Sequence, residues 1–370
     1  MKKYVHGGDK YGLLGPANFQ IKIIDYSANT NPLGMPINVK KAAAEALEFS
    51  DSYPDPFCRK LTLAIANRES KNAACKIEKD WIVCGNGAAD LIFRTIYGLD
   101  LKRVLIPAPT FSEYEDALSE KNVEIEYYYL KEENNFQFQE DILDFFNGNI
   151  EYDNEKKIDG IFLCNPNNPV GNLIDQNLLE KIVKKACDKN IFIFLDECFL
   201  ELTGLCNERS LVGKLKDYDN LIIFKAFTKT YAMAGLRLGY LLTSNQSVAD
   251  KIFNIGQPWS VSTPAQAAGI AAMTEDAYIE KSVEYIKNER IKLVQALENA
   301  GFKVYPGFAN YIFFRGDKEF IEEMKKSGIL VRDCSNYKGL IDGYMRIAVR
   351  NEQENKIFID KLGGSKWRNR

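Results

Sequence analysis

Residues 160–196 read GIFLCNPNNPVGNLIDQNLLEKIVKKACDKNIFIFLD. The stretch opens and closes on short, continuous apolar runs, 160–164 and 191–195, of the kind that form strands covered on both faces. Between them Leu178, Leu179, Ile182, Val183 and Ala186 recur at helical spacing, which predicts an amphipathic helix over about 176–189. Strand, helix, strand in so few residues is the unit of a parallel sheet. Two punctuation marks sit at its strand ends. NPNNPVG (165–171) is an Asn-Pro turn just past the first strand, and Asp196 closes the second.

The same alternation extends outward. WIVCG (81–85) reads as a buried strand, and Leu91, Ile92, Thr95, Ile96 and Leu99 mark a helix over 88–99. RVLIP (103–107) and LIIFK (221–225) are further strands. The expected fold class is therefore α/β, a mostly parallel sheet in a large domain, with ligands bound beyond the carboxyl ends of the strands. After residue 260 the pattern changes to a long helical stretch (264–299), short strands at 303–305, 310–314, 329–332 and 344–349, and a helix at 317–326. That pattern predicts a smaller α+β domain. The expected organisation is an N-terminal arm (1–40) running over the surface and joining the small domain, a large domain (41–260), and a linking helix with a C-terminal small domain (261–370). The polar segment 147–159 reads as a surface loop.

Composition narrows the functional classes. The chain has 370 residues, with 48 Lys+Arg against 51 Asp+Glu, a net charge of −3. No nucleic-acid footprint or polybasic membrane patch follows from that balance, so neither nucleic acid nor membrane is an expected partner. The one histidine, His6, rules out histidine metal clusters and interior Ser–His triads. None of the eight cysteines is spaced CxxC, so no zinc set and no metal is expected. They read as reduced, buried thiols of a cytoplasmic protein. The first residues lack an apolar signal stretch, and every apolar run is far shorter than the ~20 residues that span a bilayer.

The chemistry concentrates in KAFTKTYAMAGLRLGY (225–240), directly after a strand. A lysine at such a strand end, Lys229, flanked by small and apolar residues, is a candidate amine of lowered pKa suited to Schiff-base formation. Asp196 at a neighbouring strand end would face a protonated pyridine nitrogen, Asn168 a phenolic oxygen, and Arg237 a phosphate. The turn GNGAAD (85–90) joins a strand to a helix, so the amides around Gly87, Ala88 and Ala89 can cradle a phosphate. Neither GxGxxG nor GxxxxGK[ST] is present, which speaks against a nucleotide cofactor.

In order, YPDP (53–56), GNGA (85–88), NPNNPVG, LDE (195–197), FTK (227–229) and GLRLGY (235–240) resemble the motifs of the fold-type I pyridoxal 5′-phosphate enzymes, in the branch that contains the histidinol-phosphate aminotransferases. The resemblance spans about residues 22–361. It implies that Lys229 forms the Schiff base with the cofactor, that Asp196 pairs with the ring nitrogen and that Asn168 touches the phenolic oxygen. It also implies that Phe111 stacks on the ring, that Thr228 supplies a hydroxyl near the phosphate, and that Tyr53 reaches the cofactor phosphate of the other subunit in a homodimer with shared active sites. Three positions depart from the pattern: Phe199 where many relatives have tyrosine, Ala226 for a hydroxyl residue, and Val170 for threonine.

HGGD (6–9), DYSANTNPLGMP (25–36), PWSVS (258–262), ILVRDCSNYKGL (329–340) and YMRIAVR (344–350) resemble one sub-branch, the L-threonine-O-3-phosphate decarboxylases of cobalamin synthesis. That resemblance implies a phosphorylated amino-acid substrate. Arg346 would hold its carboxylate and Arg332 its phosphate, with His6 and Asn31 as further substrate ligands. The implied reaction is decarboxylation of O-phospho-L-threonine. The alternative is an aminotransferase working with 2-oxoglutarate and glutamate.

Overall fold

A computed structural model describes residues 7–9, 23–146 and 157–363. His6 and most of the polar 147–159 segment lie outside the described residues. The strands are β1 (Ile24–Asp25), β2 (Ile82–Gly85), β3 (Arg103–Ala108), β4 (Glu124–Tyr129), β5 (Gly160–Cys164), β6 (Phe192–Asp196) and β7 (Leu221–Ala226). They continue as β8 (Gly239–Leu242), β9 (Lys303–Val304), β10 (Tyr311–Arg315), β11 (Ile329–Leu330), β12 (Arg332–Asp333) and β13 (Tyr344–Ala348).

Seven of them form one sheet in the order β2-β8-β7-β6-β5-β3-β4. From β7 through β4 all pairings are parallel, and β8 runs antiparallel to both its neighbours. The continuous apolar runs have the expected cause. Ile161, Leu163, Ile193, Leu195 and Ile223 face one layer of helices, with Leu179, Ile182 and Val183 opposite. Phe162, Phe194, Ile222 and Phe224 face the other, with Leu91, Ile92 and Ile96. Burial of each such side chain contributes roughly 1.5–3 kcal/mol. The helix Gln176–Asp188 begins where Asp175 accepts from the Leu178 amide at 3.0 Å, a cap worth ~1 kcal/mol.

Several elements were not singled out from the sequence, among them the helices Ile37–Glu45, Arg59–Ala73, Glu113–Glu120, Gln246–Ile255 and Glu352–Gly363 and the strands β4 and β8. β4, EIEYYY, is a half-exposed edge strand whose alternating glutamates mask its apolar content. β8 begins at the last two residues of GLRLGY, where two glycines read as loop. The 264–299 stretch is two helices, Thr263–Ala272 and Asp276–Asn299. No glycine or proline marks the break; there the Thr274 hydroxyl donates to the Ala271 carbonyl at 2.9 Å and competes with the helical ladder.

A second, antiparallel sheet has the order β12-β13-β10-β9. On one face Ile312, Phe314, Met345 and Ile347 pack with Leu293, Leu297, Phe320 and Phe358. β1 pairs in parallel with β11, so the start of the chain is stitched to its end. Residues 24–31 do not run over the surface as expected: Tyr26, Ser27, Asn29 and Asn31 are buried. The Tyr26 carbonyl accepts from the Ala348 amide, and its hydroxyl donates to Asn355. Glu132 clasps the two sheets together. Its carboxylate accepts from Lys303 at 2.8 Å, Tyr305 at 2.5 Å, Tyr344 at 2.7 Å and Arg315 at 3.0 Å. No helix among the described residues is long and apolar enough to cross a membrane. All eight thiols are unpaired, and six are buried.

Candidate active site

Because β3, β5, β6 and β7 are parallel, their carboxyl ends share one edge. The reversed strand β8 brings its beginning, and hence Arg237, to that same edge. A cavity of about 680 Å³ opens there, between the main sheet and the second one. β6 delivers Asp196, and β7 delivers Thr228 and Lys229 on the four-residue helix Phe227–Thr230. The turn after β5 contributes Asn168, and the segment after β3 contributes Phe111. Ala88 and Ala89, the first residues of the helix Ala88–Gly98, form part of the wall. Arg332 and Arg346 enter from the second sheet.

Asp196 is buried and held at both oxygens. Tyr114 donates its hydroxyl to Oδ2 at 2.6 Å, and the Cys198 amide donates to Oδ1 at 2.9 Å. Burial, and next the Asp196 charge, push the Tyr114 phenol well above its ordinary pKa, so it remains a donor at neutral pH. The tyrosine is fixed by stacking on Phe162 at 4.4 Å between ring centroids. Tyr114 is not singled out from the sequence, where Phe111, three residues earlier, is named.

Lys229 keeps its tip at the cavity but is otherwise enclosed. Burial first, then the Arg346 and Arg237 charges, lower its pKa to about 8. Its Nζ sits 5.6 Å from the centre of the Phe199 ring. Phe199 itself packs edge-on against Tyr311, whose hydroxyl donates to the Asn167 carbonyl.

The third part is an anion cradle. Gly87 has φ 87°, and a Cβ there would lie 2.7 Å from Arg237 Nη2. A Cβ on Gly239 would lie 2.6 Å from the Ala88 nitrogen. The two glycines thus let the guanidinium and β8 close on the start of the helix, where the free amides and the positive end of the helix dipole favour an anion. Among the described residues, Arg237 makes long contacts, to the carbonyls of Ala234 at 3.3 Å and Asn86 at 3.4 Å. An amine of lowered pKa, a buried carboxylate and this cradle, on one cavity, match the carbonyl, ring nitrogen and phosphate of pyridoxal phosphate.

Arg346 is buried and donates to the Asn168 side-chain oxygen and, at 2.9 Å, to the Ser27 carbonyl. With the Asn29 amide assigned oxygen-inward, that oxygen also accepts from Arg346 Nε at 3.2 Å. Arg332 lies over the Tyr337 ring at 5.1 Å and donates to the Asp333 carbonyl.

Two candidates are placed elsewhere. Asn31 does not line the cavity; its amide donates to the Thr230 carbonyl at 2.9 Å and Ser282 Oγ at 2.8 Å, and its backbone N–H donates to the Lys229 carbonyl. It braces the turn behind Lys229, and Asn29, two residues earlier, takes the position on the cavity. Tyr53 is 80% exposed, stacks on Trp259 at 4.5 Å, and is away from its own chain's cavity. Asn29, Tyr337 and Arg350 are wall residues that the sequence reading passed over. For Arg350 a signal existed: in YMRIAVR it stands four residues after Arg346, on the same face of an extended chain.

The profile of the family described as Aminotransferase class I and II matches residues 21–362. The threonine-phosphate decarboxylase of Salmonella typhimurium is 34% identical over 92% of this chain and 90% of its own length. The histidinol-phosphate aminotransferase of Methanococcus aeolicus is 30% identical over 98% of this chain and 95% of its own. The crystal structure of the histidinol-phosphate aminotransferase from Clostridium acetobutylicum aligns with a TM-score of 0.82 at 33% identity, covering 92% of this chain and 98% of that one.

Proposed function

The chain belongs to the aminotransferase class I and II family, enzymes that depend on pyridoxal 5′-phosphate, and on that premise we propose that it decarboxylates O-phospho-L-threonine to (R)-1-amino-2-propanol phosphate, for cobalamin synthesis. The observation that carries this reading is the pair of buried guanidiniums, Arg332 and Arg346, on one cavity wall. One suits an α-carboxylate and the other a second anion. The similarity to threonine-phosphate decarboxylase supports it.

Lys229, Asp196, Asn168, Phe111, Thr228, Arg237 and the Gly87–Ala89 turn would hold the cofactor, which when bound supplies an electron sink for the bond broken at Cα. Asp196, oriented by Tyr114 and the Cys198 amide, offers its charge to the ring N–H. Arg346 and Arg332 fix the substrate at its two ends and so decide which Cα bond is presented for cleavage. The Lys229 side chain, which exchanges between ammonium and amine near pH 8, would in its ammonium form deliver a proton to Cα in place of the carboxylate that leaves as carbon dioxide. In the proposed assembly, a cytoplasmic homodimer, Tyr53 reaches the cofactor phosphate of the other subunit. Its exposure, next to exposed Leu47, Phe49 and Phe57, supports that assembly.

A second reading, transamination of histidinol phosphate or a related amino acid, is favoured by the similarity to the two histidinol-phosphate aminotransferases. The same lysine and arginine serve both reactions. Incubation of the holoenzyme with O-phosphothreonine separates them: carbon dioxide released without any keto acid supports decarboxylation, whereas glutamate formation that depends on 2-oxoglutarate replaces it with the second reading.

A further inference from the structure

Among the described residues, five cationic side chains and three carboxylates line the cavity of a chain whose net charge is −3. In the roles proposed above, Lys229, Arg237 and Arg346 serve the cofactor and the α-carboxylate. Arg332 serves the second anion, and Arg350 remains without a role. We infer that Arg350 is a specificity-determining residue, a second cation for the distal dianion of the substrate, and that Glu354 positions it. This rests on the decarboxylase reading and deepens it.

Arg350 follows the end of β13, two residues past Ala348, on the same face as Arg346. Its backbone is clamped from both sides by one carboxamide: the Arg350 N–H donates to Asn355 Oδ1 at 3.2 Å, and Asn355 Nδ2 donates to the Arg350 carbonyl at 2.7 Å. Asn355 is itself buried and tied to Tyr26 and Glu289. A surface ion-pair partner has no need of such an anchor. Of the guanidinium, Nε is bonded to Glu354 Oε2 at 3.0 Å. The two Nη groups have no partner among the described residues. The side chain thus keeps one edge tethered to protein and the edge suited to a phosphate free at the cavity. Glu354 lies one helical turn further on, in the helix Glu352–Gly363, its amide capped by Asn351 at 3.0 Å, so the tether starts from a fixed point. Two arginine forks match a phosphate dianion; one would leave part of its charge uncompensated in a closed site.

The test uses the holoenzyme with three probes: O-phospho-L-threonine, L-threonine and inorganic phosphate as a competitive inhibitor. Arg350→Ala should lower kcat/KM for O-phosphothreonine ~10-fold or more, mostly through KM, as expected for one lost charge-assisted bond. It should weaken phosphate inhibition similarly and leave threonine turnover unchanged. Arg350→Lys should fall between. Glu354→Gln, which removes the charge of the tether and keeps the cation, should raise KM for O-phosphothreonine less than Arg350→Ala does, because an amide oxygen still accepts from Nε. If Arg350→Ala and Glu354→Gln fell together on both substrates, Arg350 would be only a helix-end ion pair and the inference overturned. Retained preference in Arg350→Ala, alongside its loss in Arg332→Ala, would sink this inference alone. A wild-type enzyme without preference for phosphothreonine would remove the decarboxylase reading, and this inference with it.

Discussion

Arg332 and Arg346 are register partners across the antiparallel β12–β13 pair, two buried arginines at directly opposite backbone positions. Like charges in that relationship repel. Among the described residues, the contacts of Arg346 with Asn168 and Ser27, and of Arg332 with the Tyr337 ring and the Asp333 carbonyl, offset the repulsion through neutral groups. An arrangement that is costly when empty and favourable when anions arrive is what a binding site for a doubly anionic molecule requires.

The first prediction follows directly. Arg332→Ala should lower kcat/KM for O-phosphothreonine by roughly 10²-fold if two charge-assisted bonds are lost, at ~1.5–3 kcal/mol each. Cofactor binding should scarcely change. Threonine, which lacks the phosphate, should be nearly indifferent, whereas Arg346→Ala should impair both substrates. An unchanged preference for phosphothreonine in Arg332→Ala would remove the phosphate role.

Lys229 sets a pH dependence. Its folded pKa is lowered to about 8, against ~10.4 for an unperturbed lysine, and only the neutral amine attacks a carbonyl. The rate at which apoprotein takes up pyridoxal phosphate should therefore rise with pH through about 8 and then level off. Arg346→Ala removes a neighbouring positive charge, so the midpoint should move up. Lys229→Ala should carry no borohydride-fixed label while remaining folded; a label on another lysine would overturn the assignment.

Asp196→Asn keeps the shape and removes the charge. The variant should retain cofactor and lose most of its activity, because a neutral amide no longer favours a protonated ring nitrogen. Its Tyr114 phenol should also titrate lower than in the wild type, since the Asp196 charge helps to raise it. Near-native turnover would take Asp196 out of this role.

Tyr53 should act on the other subunit. Mixed dimers of a Tyr53→Phe chain with a Lys229→Ala chain would then carry one doubly impaired site and one intact site, and activity should recover on mixing. Purely additive residual activities would place Tyr53 in its own chain's chemistry instead.

Glu132 predicts acid behaviour. Hydrogen bonds from Lys303, Tyr305 and Tyr344 hold its carboxyl down at about 2. A depressed carboxylate contributes stability above its unfolded pKa, ~4.3, and loses that contribution as pH falls from there through about 2. Glu132→Gln should therefore lower Tm at neutral pH and flatten the Tm-against-pH curve below pH ~4. Because the carboxylate is partly open to water, the loss should be modest. A Tm curve identical to wild type across that range would count against a clasp at Glu132.

The inner strands β5, β6 and β7 of the main sheet were legible because 160–164, 191–195 and 221–225 are covered on both faces, which leaves a local pattern of unbroken apolar residues. The cofactor residues were legible for a related reason. Each of Asn168, Asp196 and Lys229 directly follows such a strand, so reading the strand places the residue at the binding edge. What required the tertiary structure was any relationship between distant segments. Asn29 rather than Asn31 reaches Arg346, Tyr114 reaches Asp196, and Arg350 lines the same cavity as Arg332. None of these follows from spacing along the chain: they depend on β1 pairing with β11 and on the second sheet closing over the first. Periodicity reports which face of an element is buried, and only packing decides which other element lies against it.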